Sequence, residues 1–232
     1  MARLEQNQLK QHLTNNLSPL YVLVGDEPLA QSECLDLIRQ AARKAGAEER
    51  SSFIVERNFN WQQIGQFSQS LSLFSSLRIL EIHIPSGKPG VEGGKVLGDL
   101  ASNTIPDTTT IIVLPDLERE AKNSAWFGAL QAACTLIELK EITPNQLPSW
   151  LAARLAQQSQ STDSASLTFI AHQVEGNLLA AHQEVQKLGL LYPTGEISAE
   201  AVRESVLNVS RYDAFQLGEA LLAGDAERTT RI

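Results

Sequence analysis

Hydrophobic positions follow two rhythms along the chain, and the change between them falls near residue 142. In the first part, short apolar runs are separated by stretches with helical spacing. Leu20-Tyr21-Val22-Leu23-Val24 is a continuous apolar run bounded by Pro19 and Gly25, and residues 108–114 (TTTIIVL) form another. Such runs are the pattern of strands covered on both faces, as in a parallel sheet. Residues 53–56, 77–84 and 135–140 complete a set of five expected strands. Residues 3–17 read as a short amphipathic helix ended by Ser18-Pro19. Pro28 suits a first helical position and opens a helix to about residue 45. Trp61, Ile64, Phe67 and Leu71 space a helix that starts near Asn60. Further helices are expected over 95–102 and 126–134, and the glycine- and proline-rich stretch 85–94 reads as a mobile loop.

After Thr143-Pro144 only helical spacing remains, over 148–159, 164–174, 177–191 and 199–207. Gly176 stands where a left-handed helix cap is expected, and residues 192–195 read as a turn. One more helix begins over 212–223, and the sequence ends as if inside a further helical unit. Strands alternating with helices imply a parallel sheet with helices on both sides. The expected organisation is therefore an α/β domain with a five-stranded parallel sheet over 1–142, an all-α domain over 143–210, and the start of another helical domain over 211–232.

Composition narrows the function. The chain has 232 residues, 43% hydrophobic and 20% charged, as a globular protein would. No run approaches the roughly 20 apolar residues of a membrane span, and the polar N-terminus lacks a signal core. Cys34 and Cys134 stand far apart in apolar contexts and read as reduced and buried, which favours the cytoplasm. The four histidines, at 12, 83, 172 and 182, have no metal-ligand spacing, so no metal is expected. A formal charge of −8 makes the chain a poor gripper of DNA phosphates on its own. Its densest basic cluster, Arg39, Arg43 and Lys44, reads as a solvated helix face.

The first apolar run leads into Gly25-Asp26-Glu27-Pro28-Leu29-Ala30-Gln31-Ser32. Set beside the phosphate-binding pattern G-x-x-x-x-G-K-[ST], Gly25, the spacing and the Ser32 hydroxyl fit. Ala30 replaces the glycine that lets backbone amides close on phosphate, and Gln31 replaces the lysine that neutralises it. Asp26 and Glu27 add negative charge, and Pro28 removes an amide donor. The distal strand leads to Pro115-Asp116-Leu117, a single acid where an ATPase of this class carries an acidic pair. The loop reads as degenerate, with no nucleotide and no cofactor expected. On these residues alone, two alternatives stand beside it: an NTPase with a divergent loop, and an unrelated doubly wound domain binding a small molecule at its strand carboxyl ends.

Several blocks carry a family resemblance: Asn60-Trp61 through Leu73-Phe74-Ser75-Ser76, Ser124-Ala125-Trp126-Phe127, Leu147-Pro148-Ser149-Trp150-Leu151, and Glu175-Gly176-Asn177-Leu178-Leu179. In this order they resemble the delta-subunit family of bacterial DNA polymerase III. The resemblance implies an AAA+-like P-loop NTPase fold, a helical lid and then a helical collar. Related loaders carry an arginine where this chain has Leu179. The implied function is that of a non-catalytic clamp-loader subunit, which binds and opens the sliding clamp during DNA replication within a holoenzyme whose polymerase is the nucleotidyltransferase. Implied partners are the beta clamp, the gamma/tau and delta prime subunits, and primed DNA through the assembled complex, with no membrane.

The resemblance also picks out a site. Ser70-Leu71-Ser72-Leu73-Phe74 resembles the clamp-binding peptide Gln-Leu-Ser/Asp-Leu-Phe. It implies that Leu73 and Phe74 form the wedge, Leu71 is the other apolar anchor, and Ser70 replaces the glutamine. Burying one such side chain is worth roughly 1.5–3 kcal/mol, and interface energy concentrates in a few anchors. By spacing alone, the same three apolar residues also fit the core at a helix end.

Overall fold

The computed structural model describes residues 2–69 and 77–207, in two compact units, Met1–Glu141 and Ile142–Ile232. The first unit runs β1 (Ala2–Glu5), α1 (Gln6–Asn15), β2 (Leu20–Val24), α2 (Pro28–Lys44), β3 (Ala47–Ile54), α3 (Gln62–Gln69), β4 (Leu77–His83), α4 (Gly90–Ser102), β5 (Thr108–Leu114), α5 (Arg119–Lys122), α6 (Ala125–Ala133) and β6 (Thr135–Glu138). Its sheet has the order β1-β6-β2-β5-β4-β3, and every pair is parallel.

The two fully apolar runs lie in the middle of the sheet. Every residue of β2 and β5 is buried, because helices cover both faces. Leu20, Val22 and Val24 face a layer with Trp61, Ile64, Leu97, Phe127 and Leu130. Tyr21 and Leu23 face the other, with Leu9, Cys34 and Ile38. The buried Tyr21 hydroxyl accepts a hydrogen bond from Ser18 N at 2.8 Å, which meets the polar demand of an aromatic in the core. Cys34 and Cys134 are buried and unbridged, and burial pushes both thiols up to about 12.

In this first unit four expectations need correction. The sheet has six strands rather than five, because residues 2–5, expected within the first helix, pair with β6 from Ala2↔Thr135 to Glu5↔Glu138. Four residues carry too little periodicity to separate strand from helix, and the neighbouring edge decides. Glu5 then opens α1, its amide donating to Gln8 Oε1 at 2.9 Å. β3 starts six residues before the expected 53–56, because its alternating burial marks an edge strand with one wet face. α4 starts at Gly90, inside the stretch read as a mobile loop. A Cβ on Gly93 would lie 2.3 Å from Trp61 Cζ2, so this glycine makes room for an indole.

The fourth correction concerns charge. Arg39 does not belong to a solvated face. Its Nε and Nη2 each donate to Glu81 at 2.8 Å, one to each carboxylate oxygen, and Glu81 is fully buried in β4. Arg43 and Lys44 are exposed.

Among its described residues, the second unit is helical except for one small ribbon. It contains α7 (Leu147–Gln157), β7 (Gln160–Ser161), α8 (Ser164–Gln173), α9 (Leu178–Leu191), β8 (Gly195–Glu196) and α10 (Ala199–Leu207). Asp163 and Asn177 cap α8 and α9 through their side chains, and Gly176 takes φ +82° just before the second cap. The expectation of helix alone over 143–210 is corrected by the parallel pairing of β7 with β8. Buried Gln160 drives it: its amide donates to the carbonyls of Leu188, Tyr192 and Pro193. Three carbonyls at the end of α9 are thus satisfied from β7, and two residues of strand leave no period to read in the sequence. The expected helix over 212–223, and the domain over 211–232, lie outside the described residues.

Candidate functional site

Open α/β sheets place ligands outside the carboxyl ends of their strands, where the strand order reverses. In this sheet the chain leaves β2 toward β3 on one side and later returns past it to β6 on the other. The loop over 25–27 lies at that point. Gly25 N donates to Leu114 O at 3.1 Å, and Leu139 N donates to Val24 O at 2.8 Å. Gly25 takes φ +139°, and a Cβ there would stand 2.3 Å from Leu139 O. Glycine is required by close backbone packing as well as by its dihedral.

The loop itself is short. α2 starts at Pro28, so only Gly25, Asp26 and Glu27 lie between strand and helix. Ala30 and Gln31, the positions that would wrap and neutralise phosphate, are inside the helix. Ala30 is fully buried against the layer of Cys34 and Ile38, Gln31 is half-buried and Ser32 is exposed. The amides at the helix start are also engaged or missing: Glu27 accepts from Leu29 N at 3.2 Å, and Pro28 has none to offer.

The surrounding charges neutralise one another. Asp26 Oδ2 accepts from Asp116 N at 3.1 Å, and Lys122 Nζ pairs with Asp116 Oδ1 at 2.8 Å. Lys140 pairs with Glu5 at 2.6 Å. That hydrogen bond and the lysine charge hold the Glu5 carboxyl below its ordinary value. Asp26, Asp116, Lys122, Glu138 and Lys140 all line a cleft of about 730 Å³ at the strand ends. With Arg3 and Glu141 beside these, four carboxylates and three cations leave it without the excess of positive charge that a polyphosphate needs.

The other predicted positions are placed as follows. Leu179 lies in the first turn of α9, 45% exposed. Ser70, Leu71, Leu73 and Phe74 lie outside the described residues, between α3 and β4. What borders them is clear. Arg78, the second residue of β4, stacks over Phe67 of α3 with its guanidinium carbon 4.4 Å from the ring centroid. Its Nη1 donates to Phe67 O at 3.3 Å. Nothing in the local pattern singled out Arg78, because an arginine opening an apolar strand reads as an exposed end.

Comparison with known proteins gives one consistent answer. The sequence family described as DNA polymerase III, delta subunit, matches over residues 21–140. DNA polymerase III subunit delta of Escherichia coli (strain K12) is 32% identical over 232 residues, covering the whole of this chain and 68% of that one. The Haemophilus influenzae subunit delta is also 32% identical, over 235 residues, with the same coverage. Among solved structures, the Bacillus subtilis DNA clamp loader delta protein superposes with a TM-score of 0.67 at 17% identity, over 97% of this chain and 69% of that one. The Thermotoga maritima RuvB Holliday junction branch migration motor does so with a TM-score of 0.54 at 13% identity, over 96% and 77%. These two show the AAA+-like fold. With its family profile matched from the first central strand to the last, the chain belongs to the DNA polymerase III delta subunit family.

Proposed function

We propose that this chain acts in DNA replication by contact rather than by hydrolysis, binding the sliding clamp through residues 70–76 and helping to open it. Leu73 and Phe74 are the wedge, Leu71 is a second apolar anchor, and Ser70 takes the place of the usual glutamine. Nucleotide chemistry belongs to partner subunits of the loader, of the gamma/tau and delta prime kinds, which control when this surface is presented and bring in primed DNA.

The observation that supports this reading most is the start of α2 at Pro28. An AAA+-like fold that spends Ala30 and Gln31 on a helix has no loop left to close on phosphate. Its contribution to an assembly then lies in its surfaces, and residues 70–76 supply a clamp-type peptide between α3 and β4.

Co-elution of the 232-residue chain with the beta clamp tests the proposal. Replacing Leu73 and Phe74 together with Ala is expected to abolish co-elution while moving folding stability by no more than about 0.5 kcal/mol, as exposed positions do. A loss of several kcal/mol would instead assign both to the core, since each such truncation there costs roughly 2–5 kcal/mol. In a thermal melt with millimolar Mg-ATP no shift is expected. Tight binding, at 100 times Kd, would stabilise by roughly 2.7 kcal/mol and overturn the nucleotide-free reading.

A further inference from the structure

The end of α9 combines exposed apolar side chains with a pocket free of charge. Leu190 is 88% exposed and Leu191 58%. Beside them, a pocket of about 670 Å³ is lined by Gln158, Gln160, Gln186, Gly189, Leu190 and residues 192–194. None of these residues is charged, in a chain where 20% of residues are. The nearby ion pair of α9, Glu184 with Lys187 at 2.6 Å, is engaged with α10, where Lys187 Nζ donates to Ser205 O at 3.0 Å. Depletion of charge around large apolar side chains marks the core of a protein interface.

Amides fix the floor of the pocket. Gln160 is 4% exposed; it donates to the carbonyls of Leu188, Tyr192 and Pro193, and its Oε1 accepts from Gln158 Nε2 at 2.7 Å. Gln158 Nε2 also donates to Val185 O at 2.8 Å, so both of its amide hydrogens are spent. Its Oε1 accepts from no group among the described residues. That oxygen lies against Gly189, where a Cβ would come within 2.6 Å of it. Glycine weakens a helix, and here it makes room for the acceptor. Gln186 adds an exposed amide that can both donate and accept.

A strand edge starts where the pocket ends. Thr194 leads into β8, where Gly195 N and Ile197 N donate to Ser159 O and Ser161 O at 2.8 Å. The amide and carbonyl of Glu196, between them, point away from β7. No third strand joins this ribbon among the described residues. Two short strands are marginal by themselves, so a third would meet open backbone groups and strengthen the pair.

We propose that the pocket is a docking site for an extended, uncharged segment of a partner protein. An aliphatic side chain of the segment packs on Leu190, its main chain bonds Gln158 Oε1 and Gln186, and the open edge of β8 lets it continue as a third strand. Strand addition of this kind draws affinity from main-chain bonds and specificity from side-chain pockets. Charge decides among the occupants. A nucleic acid needs cations to meet its phosphates, and the pocket has none. A second copy would bring one formal charge of −8 against another. A neutral segment meets neither obstacle. The site is independent of the clamp contact proposed above.

Selection of a displayed library of random dodecapeptides on the immobilised 232-residue chain tests this, with counter-selection on Leu190→Glu and near-ultraviolet circular dichroism to establish folding. The surviving peptides are expected to have uncharged centres with an aliphatic residue. In fluorescence polarisation they should bind Leu190→Glu at least about tenfold more weakly than wild type, as loss of an interface anchor requires. Gln186→Ala removes one amide and should weaken them about threefold. If no peptide survives counter-selection, or if the survivors have charged centres, the proposal is overturned. If Leu190→Glu does not fold, Gln186→Ala decides: wild-type affinity of the selected peptides for that folded chain overturns the proposal. Light scattering and a labelled oligothymidylate read the rival occupants. A dimer that Leu190→Glu dissolves would assign the face to a second copy, and oligothymidylate binding lost in Leu190→Glu would assign it to nucleic acid; either result overturns the proposal.

Discussion

Two groups of charges occupy one sheet, and water treats them differently. In the middle of β4, Glu81 is fully buried with a forked Arg39 at 2.8 Å on each oxygen, and Arg50 and His83 at 3.5 and 3.4 Å. At the strand carboxyl ends, Asp26, Asp116 and Lys122 form a similar chain of contacts near 3 Å, but all three are exposed. The buried group joins α2 to the sheet, and Arg39 cannot leave without stranding the Glu81 carboxylate. The exposed group can be rearranged at little cost. In this chain the strong electrostatics hold the fold together, while the place where a phosphate site would gather charge holds only loose, mutually neutralising pairs.

The comparison breaks first at Arg39. Arg39→Ala leaves a carboxylate buried in β4 without its bidentate partner, and removal of one member of a buried pair costs about 3–5 kcal/mol. A urea melt at neutral pH reads this directly. The acid limb sharpens the result. Burial alone would raise the Glu81 carboxyl, but hydrogen bonds from Arg39 and His83 and the charges of Arg39 and Arg50 outweigh it and hold the group at about 2. An unfolded glutamate titrates near about 4.3. The stabilisation is therefore full above that value and is lost as pH falls through the folded value near 2. Wild type should lose stability across this window, and Arg39→Ala should start lower and lose much less. Equal slopes for the two proteins would remove Glu81 from the account.

The next effect lies at the exposed end, where the weak charges surround one rigid backbone position. Gly25→Ala needs a left-handed φ and puts a methyl 2.3 Å from Leu139 O. A strained dihedral costs of order 1–3 kcal/mol, and the backbone contact adds to it. A midpoint within 0.5 kcal/mol of wild type would mean that the β2 and β6 ends move apart easily. In that case the loop could also open for a ligand.

Part of this contrast is legible in the sequence. β2 and β5 are, because five and seven consecutive apolar or threonine residues can be satisfied only between two helical layers. Pro28 is legible as a helix start, and α2 does open there. β1 and the β7–β8 ribbon are not, since two to four residues carry no period and long-range pairing decides them. The Arg39–Glu81 pair is hidden for a related reason. Forty-two residues separate the partners, and Arg39 shares its helix with Arg43 and Lys44, which do face water. Arg78 is hidden likewise, because its partner Phe67 stands 11 residues earlier, in α3. As for residues 70–76, the spacing of Leu-Ser-Leu-Phe by itself favours the core at a helix end, and the family resemblance alone points to a wedge.

The smallest expected effect is the one that defines the exposed group. Lys122 and Asp116 meet at 2.8 Å with side chains 48% and 67% exposed. Exposed pairs contribute roughly 0.2–1 kcal/mol, because each partner keeps most of its hydration and ordering two long side chains offsets the attraction. Lys122→Ala should therefore move the urea midpoint by less than about 1 kcal/mol. The difference should shrink further in molar salt, where the screening length falls to about 3 Å. Arg39→Ala should keep most of its cost in the same salt, since ions do not reach Glu81. If Lys122→Ala costs as much as Arg39→Ala, or if salt rescues both equally, the strand ends are as firmly held as the middle of β4 and the distinction between the two groups falls.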